Sequence, residues 1–146
     1  MSAFAAFAAL ETPLVVEPRF PVEPPDGRRD LAELPRQTTF LSLMRLAAPT
    51  IEVRALPNAG KRNPQQAKRE GIKSGLFDIG LWWNRGHALI EMKGYSQGRA
   101  GTLSSNQIEF GNRLHDMGVP VACFFTPEAA VAWLAEIGAP VRQVRG

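Results

Sequence analysis

Apolar residues recur along this chain with two different periods. Phe40, Leu41, Met44, Ala47 and Ala48 are spaced as on one side of a helix, which predicts a helix over residues 37–48. Asp30 suits a capped turn before it, Pro35 suits a first helical position, and Pro49 ends it. Ile51, Val53 and Ala55 alternate with polar neighbours, so residues 50–56 read as a strand, followed by the turn Pro57-Asn58-Ala59-Gly60. Residues 64–69 suit a short helix closed at Gly71. Two strands follow, 76–83 and 87–93, separated by Asn84-Arg85-Gly86. A Gly-rich loop over 94–101 leads to a helix from Ser104 to Gly118, with Phe110, Leu114 and Met117 on one stripe. Residues 119–125 are almost wholly apolar, as in a strand buried on both faces. Pro127 starts a last helix over 128–137, stopped by Gly138. The order helix, three strands, helix, strand, helix predicts an α/β fold with a mixed β-sheet flanked by helices.

Before residue 30 neither period holds. Pro13, Pro18, Pro21, Pro24 and Pro25 break any long helix, and Asp26-Gly27 reads as a turn. Residues 1–29 are therefore expected to form an extended, Pro-rich N-terminal arm, a candidate for partner contacts, with the folded domain over 30–146. A length of 146 residues suits one core rather than two. Met1 to Leu10 lacks a basic start and is followed by Glu11, which reads against a secretory signal. No apolar run is long enough to cross a bilayer. The single cysteine, Cys123, has no partner for an internal disulfide and suits a buried position in a reducing cytoplasm. There is no Cys/His set for zinc.

Net charge is only +3, but Lys61, Arg62, Lys68, Arg69 and Lys73 crowd into one polar stretch with Glu70 the sole acid among them. Such a cluster suits a phosphate backbone, and it equally suits a solvated surface. The adjacent strands say more. Side chains alternate faces along a strand, so Glu91 and Lys93 share a face. Pairing Trp83 with Ala88 sets Ile79, Leu81 and Trp83 against Met92, Ile90 and Ala88 as a continuous apolar face. In that register Asp78 faces Lys93, Gly80 faces Glu91, and the three charged residues gather on the opposite face. Hard carboxylate oxygens suit Mg²⁺ or Mn²⁺, and an ammonium beside them suits phosphodiester hydrolysis. The plainer alternative is a cross-strand ion pair between Asp78 and Lys93 on a wet sheet face.

The ordered run Ala55-Leu56-Pro57-Asn58-Ala59-Gly60-Lys61-Arg62, Gly75-Leu76-Phe77-Asp78-Ile79, Ile90-Glu91-Met92-Lys93 and Leu103-Ser104-x-x-Gln107 resembles the VRR-NUC family, a branch of the PD-(D/E)XK nuclease superfamily. The likeness spans residues 33–137. It implies a restriction-endonuclease-like core in αβββαβ order, with Asp78 and Glu91 as ligands of a catalytic Mg²⁺ (or Mn²⁺) and Lys93 as the motif lysine. Gln107 would belong to the helix packed beside the site. Glu33, near the first helix, resembles the family's early acidic residue and would join the metal ligands. One departure is Phe77, where the family usually has proline before the motif aspartate. The resemblance further implies an endonuclease for branched DNA, including four-way junctions, working as a C2 homodimer of the stand-alone phage or prophage type.

Several residues carry two readings. Ser104 and Gln107 fit a capping box, while Gln107 also lies on the inward stripe of its helix. Trp82 falls on the face of Asp78 and suits either base stacking or simple half-burial. Lys61 and Arg62 suit a phosphate grip or a solvated turn. His87 and His115 have no partner that suggests a role. Two other functions fit the same chain: a non-catalytic DNA-binding or assembly protein, and a restriction-type, sequence-specific nuclease. Intact Asp78, Glu91 and Lys93 speak against the first, and the short chain against the second.

Overall fold

A computed structural model describes residues 16–56, 65 and 75–142. Its elements are α1 (Glu33–Ala47), β1 (Glu52–Ala55), β2 (Ile79–Trp83), β3 (Gly86–Met92), β4 (Tyr95–Ser96), β5 (Arg99–Ala100), α2 (Ser105–Asp116), β6 (Val121–Phe124) and α3 (Pro127–Glu136). The main sheet has the order β1-β2-β3-β6. Its first two pairings are antiparallel and β3 pairs with β6 in parallel, so the sheet is mixed. The small β4-β5 ribbon occupies the expected Gly-rich loop. No helix among the described residues is long and apolar enough to cross a membrane.

Helices cover both faces. On one, Phe40 and Met44 of α1 and Ala130 and Leu134 of α3 pack against Ile79, Leu81, Ala88, Ile90 and Met92. On the other, Phe110 and Leu114 of α2 join Phe20, Phe77, Leu89 and Val121. The apolar face expected of the β2–β3 hairpin is thus the core face, with Trp83 partly buried at its margin.

The register differs from the expected one by two residues. Trp83 pairs with Gly86 and Leu81 with Ala88, across a turn of Asn84 and Arg85. The turn's left-handed position is taken by Arg85 at φ 67°, not by Gly86. Gly86 instead lies within β3 beneath the Trp83 indole, where any Cβ would overlap the ring. The glycine answers to the tryptophan rather than to the turn. A shift of two preserves which residues share a face, because strand side chains repeat every second position.

Two further differences matter for the site. Helix α1 begins at Glu33, two residues before Pro35, the expected first helical position, and Pro35 sits inside its first turn, where its missing N–H leaves no helical bond unmade. The described part of the expected arm lies against the domain: Phe20 is buried and Val22 bridges Cys123 in parallel along the free edge of β6. The Glu23 carboxylate accepts from the backbone N–H groups of Phe125 (3.0 Å) and Thr126 (2.8 Å). It thereby caps α3, whose own N-cap residue Thr126 makes no side-chain capping bond.

Candidate metal centre

The site lies where β2 begins and β3 ends. Asp78 immediately precedes β2, and Glu91 lies near the end of β3. With the pairing observed, Asp78 falls beside Glu91 and not opposite Lys93. Its backbone N–H donates to Glu91 Oε2 at 2.9 Å. Lys93, beyond the paired part of β3, turns back to its own strand, and its Nζ lies 3.0 Å from Glu91 Oε1. Both oxygens of the buried Glu91 are therefore held, one by an amide and one by an ammonium. The expected Asp78–Lys93 cross-strand pair does not form.

Glu33 enters from α1. Carboxylate oxygens of Glu33, Asp78 and Glu91 all lie within 4.8 Å of one another, close enough to share a cation. Glu33 is exposed, Asp78 half-buried and Glu91 buried. Its approach depends on Gly94, one residue after Lys93, because a Cβ there would overlap the backbone of Glu33. Acidic clusters on open surfaces are common without an ion; in this one Asp78 and Glu91 are withdrawn from the surface. Asp78 Oδ2 is a buried oxygen without a hydrogen-bond partner among the described residues, a costly state for a carboxylate that a cation would relieve.

The electrostatics agree. Burial, then the negative charge of Glu91 and of Glu33, pushes the Asp78 carboxyl up to about 8. Without a cation, the cluster therefore holds a proton at neutral pH. For Lys93, burial favours the neutral amine, but the charge and hydrogen bond of Glu91 outweigh it, and its pKa is raised overall. Lys93 is thus an ammonium at neutral pH.

Gln107 caps its helix and faces inward at once. The capping box forms: Gln107 N–H donates to Ser104 Oγ at 3.1 Å, and Ser104 N–H donates to Gln107 Oε1 at 3.1 Å. The same Oε1 accepts from Lys93 Nζ at 3.3 Å. Helix α2 is consequently tied to the lysine by the atom that starts the helix. Trp82 shares the face of Asp78 and Gly80, is 44% exposed, and its ring lies over Gly80, a position that only glycine leaves open. Phe77 packs edge-on to Phe20 and Phe110 and anchors the chain just before Asp78.

Lys61, Arg62, Lys68, Arg69 and Lys73, and the short helix expected over 64–69, lie outside the described residues apart from Gln65. The stretch that carries them departs from Leu56, whose N–H donates to Asp78 O at 2.7 Å. No motif marks Arg36, yet it is buried at 2% exposure, one turn after Glu33 on α1. Its position on the inner side of α1, alongside Phe40 and Met44, was the available signal. A scan against protein-family models, a search of curated proteins and a search of solved structures each returned no match.

Proposed function

We propose that this chain is a divalent-metal-dependent nuclease that hydrolyses phosphodiester bonds in DNA, with Glu33, Asp78 and Glu91 as metal ligands. The observation that carries the reading is the meeting of three carboxylates within 4.8 Å, beside a lysine ammonium 3.0 Å from Glu91. With the β4–β5 ribbon set aside, the order α1-β1-β2-β3-α2-β6, with the site at the β2–β3 hairpin, supports a restriction-endonuclease-like core of the kind the VRR-NUC resemblance implies.

A Mg²⁺ or Mn²⁺ ion at these carboxylates supplies the positive charge that attack of water on a phosphodiester requires. The protein's own groups then divide the remaining work. Glu91 is oriented through both oxygens and offers a fixed donor set. Asp78 would give up its proton to a bound ion, so ion affinity is expected to rise with pH toward about 8. Lys93, held as an ammonium by Glu91 and Gln107, donates to a phosphate oxygen and stabilises charge in the transition state. Lys61, Arg62, Lys68, Arg69 and Lys73 grip the backbone from the stretch that leaves next to Asp78. Trp82 offers an exposed ring to a base.

The resemblance makes branched DNA the favoured substrate, and a four-way junction requires two such sites in a C2 homodimer. The test is cleavage of a four-way junction, a flap, and linear single- and double-stranded DNA, with Mg²⁺ or Mn²⁺. Metal-dependent cutting, strongest on branched substrates, is expected. Tight binding of DNA with no cutting under either metal would leave a non-catalytic binding protein. Discrete cutting of linear duplex at one sequence would replace the junction reading with a restriction-type one.

A further inference from the structure

Arg36 lies one turn after Glu33 on α1, is buried, and takes no part in the chemistry above. All five of its N–H donors are matched. Nε donates to Leu31 O (3.0 Å), Nη1 to Asp26 Oδ2 (2.7 Å) and Phe125 O (2.7 Å), and Nη2 to Asp26 Oδ1 (3.1 Å) and Arg28 O (2.9 Å). The guanidinium also lies against the rings of Tyr95 and Phe125, at 5.8 and 5.7 Å from their centroids. Three of those partners, Asp26, Arg28 and Leu31, belong to the strap that runs into α1 immediately before Glu33.

The other side of the strap is tied to the strand end that carries the lysine. Tyr95 N–H donates to Leu31 O at 3.0 Å, and Gly27 N–H donates to the Tyr95 hydroxyl at 3.0 Å. Gly94 meets the Glu33 backbone directly. Asp78 and Glu91 are placed by the β2–β3 hairpin. Glu33 is on neither strand and is exposed, so its place beside them depends on where the strap fixes the start of α1.

We propose that Arg36 is a positioning residue for the metal centre. By locking the 26–31 strap to α1 it holds the Glu33 carboxylate in the ligand set, and strap docking is thereby coupled to divalent-cation binding at Glu33, Asp78 and Glu91. The proposal rests on the metal-centre reading above. A buried arginine that served only stability would lower the melting temperature without any effect that depends on Glu33. Coupling is reciprocal, so cation binding must in turn tighten the strap.

The test is Mn²⁺ affinity, read from loss of the free-ion electron paramagnetic resonance signal, for the whole chain and for Arg36→Lys, Glu33→Ala and their double variant. Loss of an outer partner of a metal ligand weakens affinity about 10–100-fold. Arg36 bonds no ligand itself and acts through the strap, so Arg36→Lys is expected at the low end of that range, about tenfold, and to add less than about twofold once Glu33 is alanine. Asp26→Asn provides the same comparison should Arg36→Lys not fold. In the unaltered chain, Mn²⁺ is expected to slow amide hydrogen exchange over residues 26–31, and not to do so in Glu33→Ala. Independent, multiplying effects of Arg36 and Glu33 would overturn the positioning role while leaving the metal centre intact. Absence of Mn²⁺ binding by the unaltered chain would overturn the metal-centre reading and this inference together.

Discussion

At the scale of single residues the site is an imbalance of charge. Three carboxylates meet beside a single ammonium, which bonds Glu91, and the strain falls on Asp78, whose Oδ2 has no partner among the described residues. The folded protein binds the Asp78 proton up to about 8, whereas an unperturbed carboxyl releases it at 3.8. Between those values the folded state holds more protons than the unfolded state, so stability contributed by this group falls as pH rises. In a chelator, the melting temperature relative to Asp78→Asn is expected to decline from about pH 4 to pH 8; a rise over that window would contradict the assignment. Lys93→Met strips Glu91, 1% exposed, of its ammonium. Breaking a buried pair from one side costs about 3–5 kcal/mol, so chemical denaturation of this variant without metal is expected to show a loss of that order. A loss under about 1 kcal/mol would mean that Glu91 is solvated in solution. Asp78, Glu91, Lys93 and Gln107 were all legible in the sequence, because face parity and motif order name residues. Their bonds were not legible, because a pairing partner depends on the turn.

The element scale shows why. Gly86 looked like a turn residue, since glycine suits positive φ. In the fold it lies within β3 under Trp83, and Arg85 carries the positive φ instead. A glycine wanted for close approach and one wanted for a turn look alike in sequence. Gly86→Ala is expected to destabilise the hairpin by about 1–3 kcal/mol through overpacking, and by clearly less in a Trp83→Ala background. Equal losses in both backgrounds would argue that residue 86 serves the turn. The start of α1 is only approximately legible for a related reason. Pro35 is acceptable anywhere in the first turn, so it marks the helix start only to within a few residues, and here the difference puts Glu33 on the helix. By contrast, α2 was placed closely, because Ser104 and Gln107 satisfy each other locally.

On the scale of the whole molecule, the sheet is a partition with two unlike sides. Helices α1 and α3 cover one face, while α2 and the Phe20 segment cover the other. The acidic centre opens at the strand ends where the strap, the hairpin and α2 meet. This arrangement makes residues 16–29 part of the fold's support. Their proline-rich pattern, lacking either period, gave no sign of it, because Phe20 and Val22 make contacts with residues about a hundred positions away. Phe20→Ala is expected to cost about 3–5 kcal/mol, as for a core phenylalanine, measured by denaturant unfolding; a loss within about 0.5 kcal/mol would describe a detached arm. We propose that this corner of the molecule hydrolyses DNA with a metal ion. The most direct test is the single-turnover cleavage rate of a four-way junction in Mg²⁺, for the unaltered chain and for a folded Asp78→Asn. Cutting is expected to stop in chelator and to fall about 1,000-fold or more in the variant. Equal rates for the two proteins would contradict the proposal, because the cutting would then not depend on the carboxylate at the centre of the site.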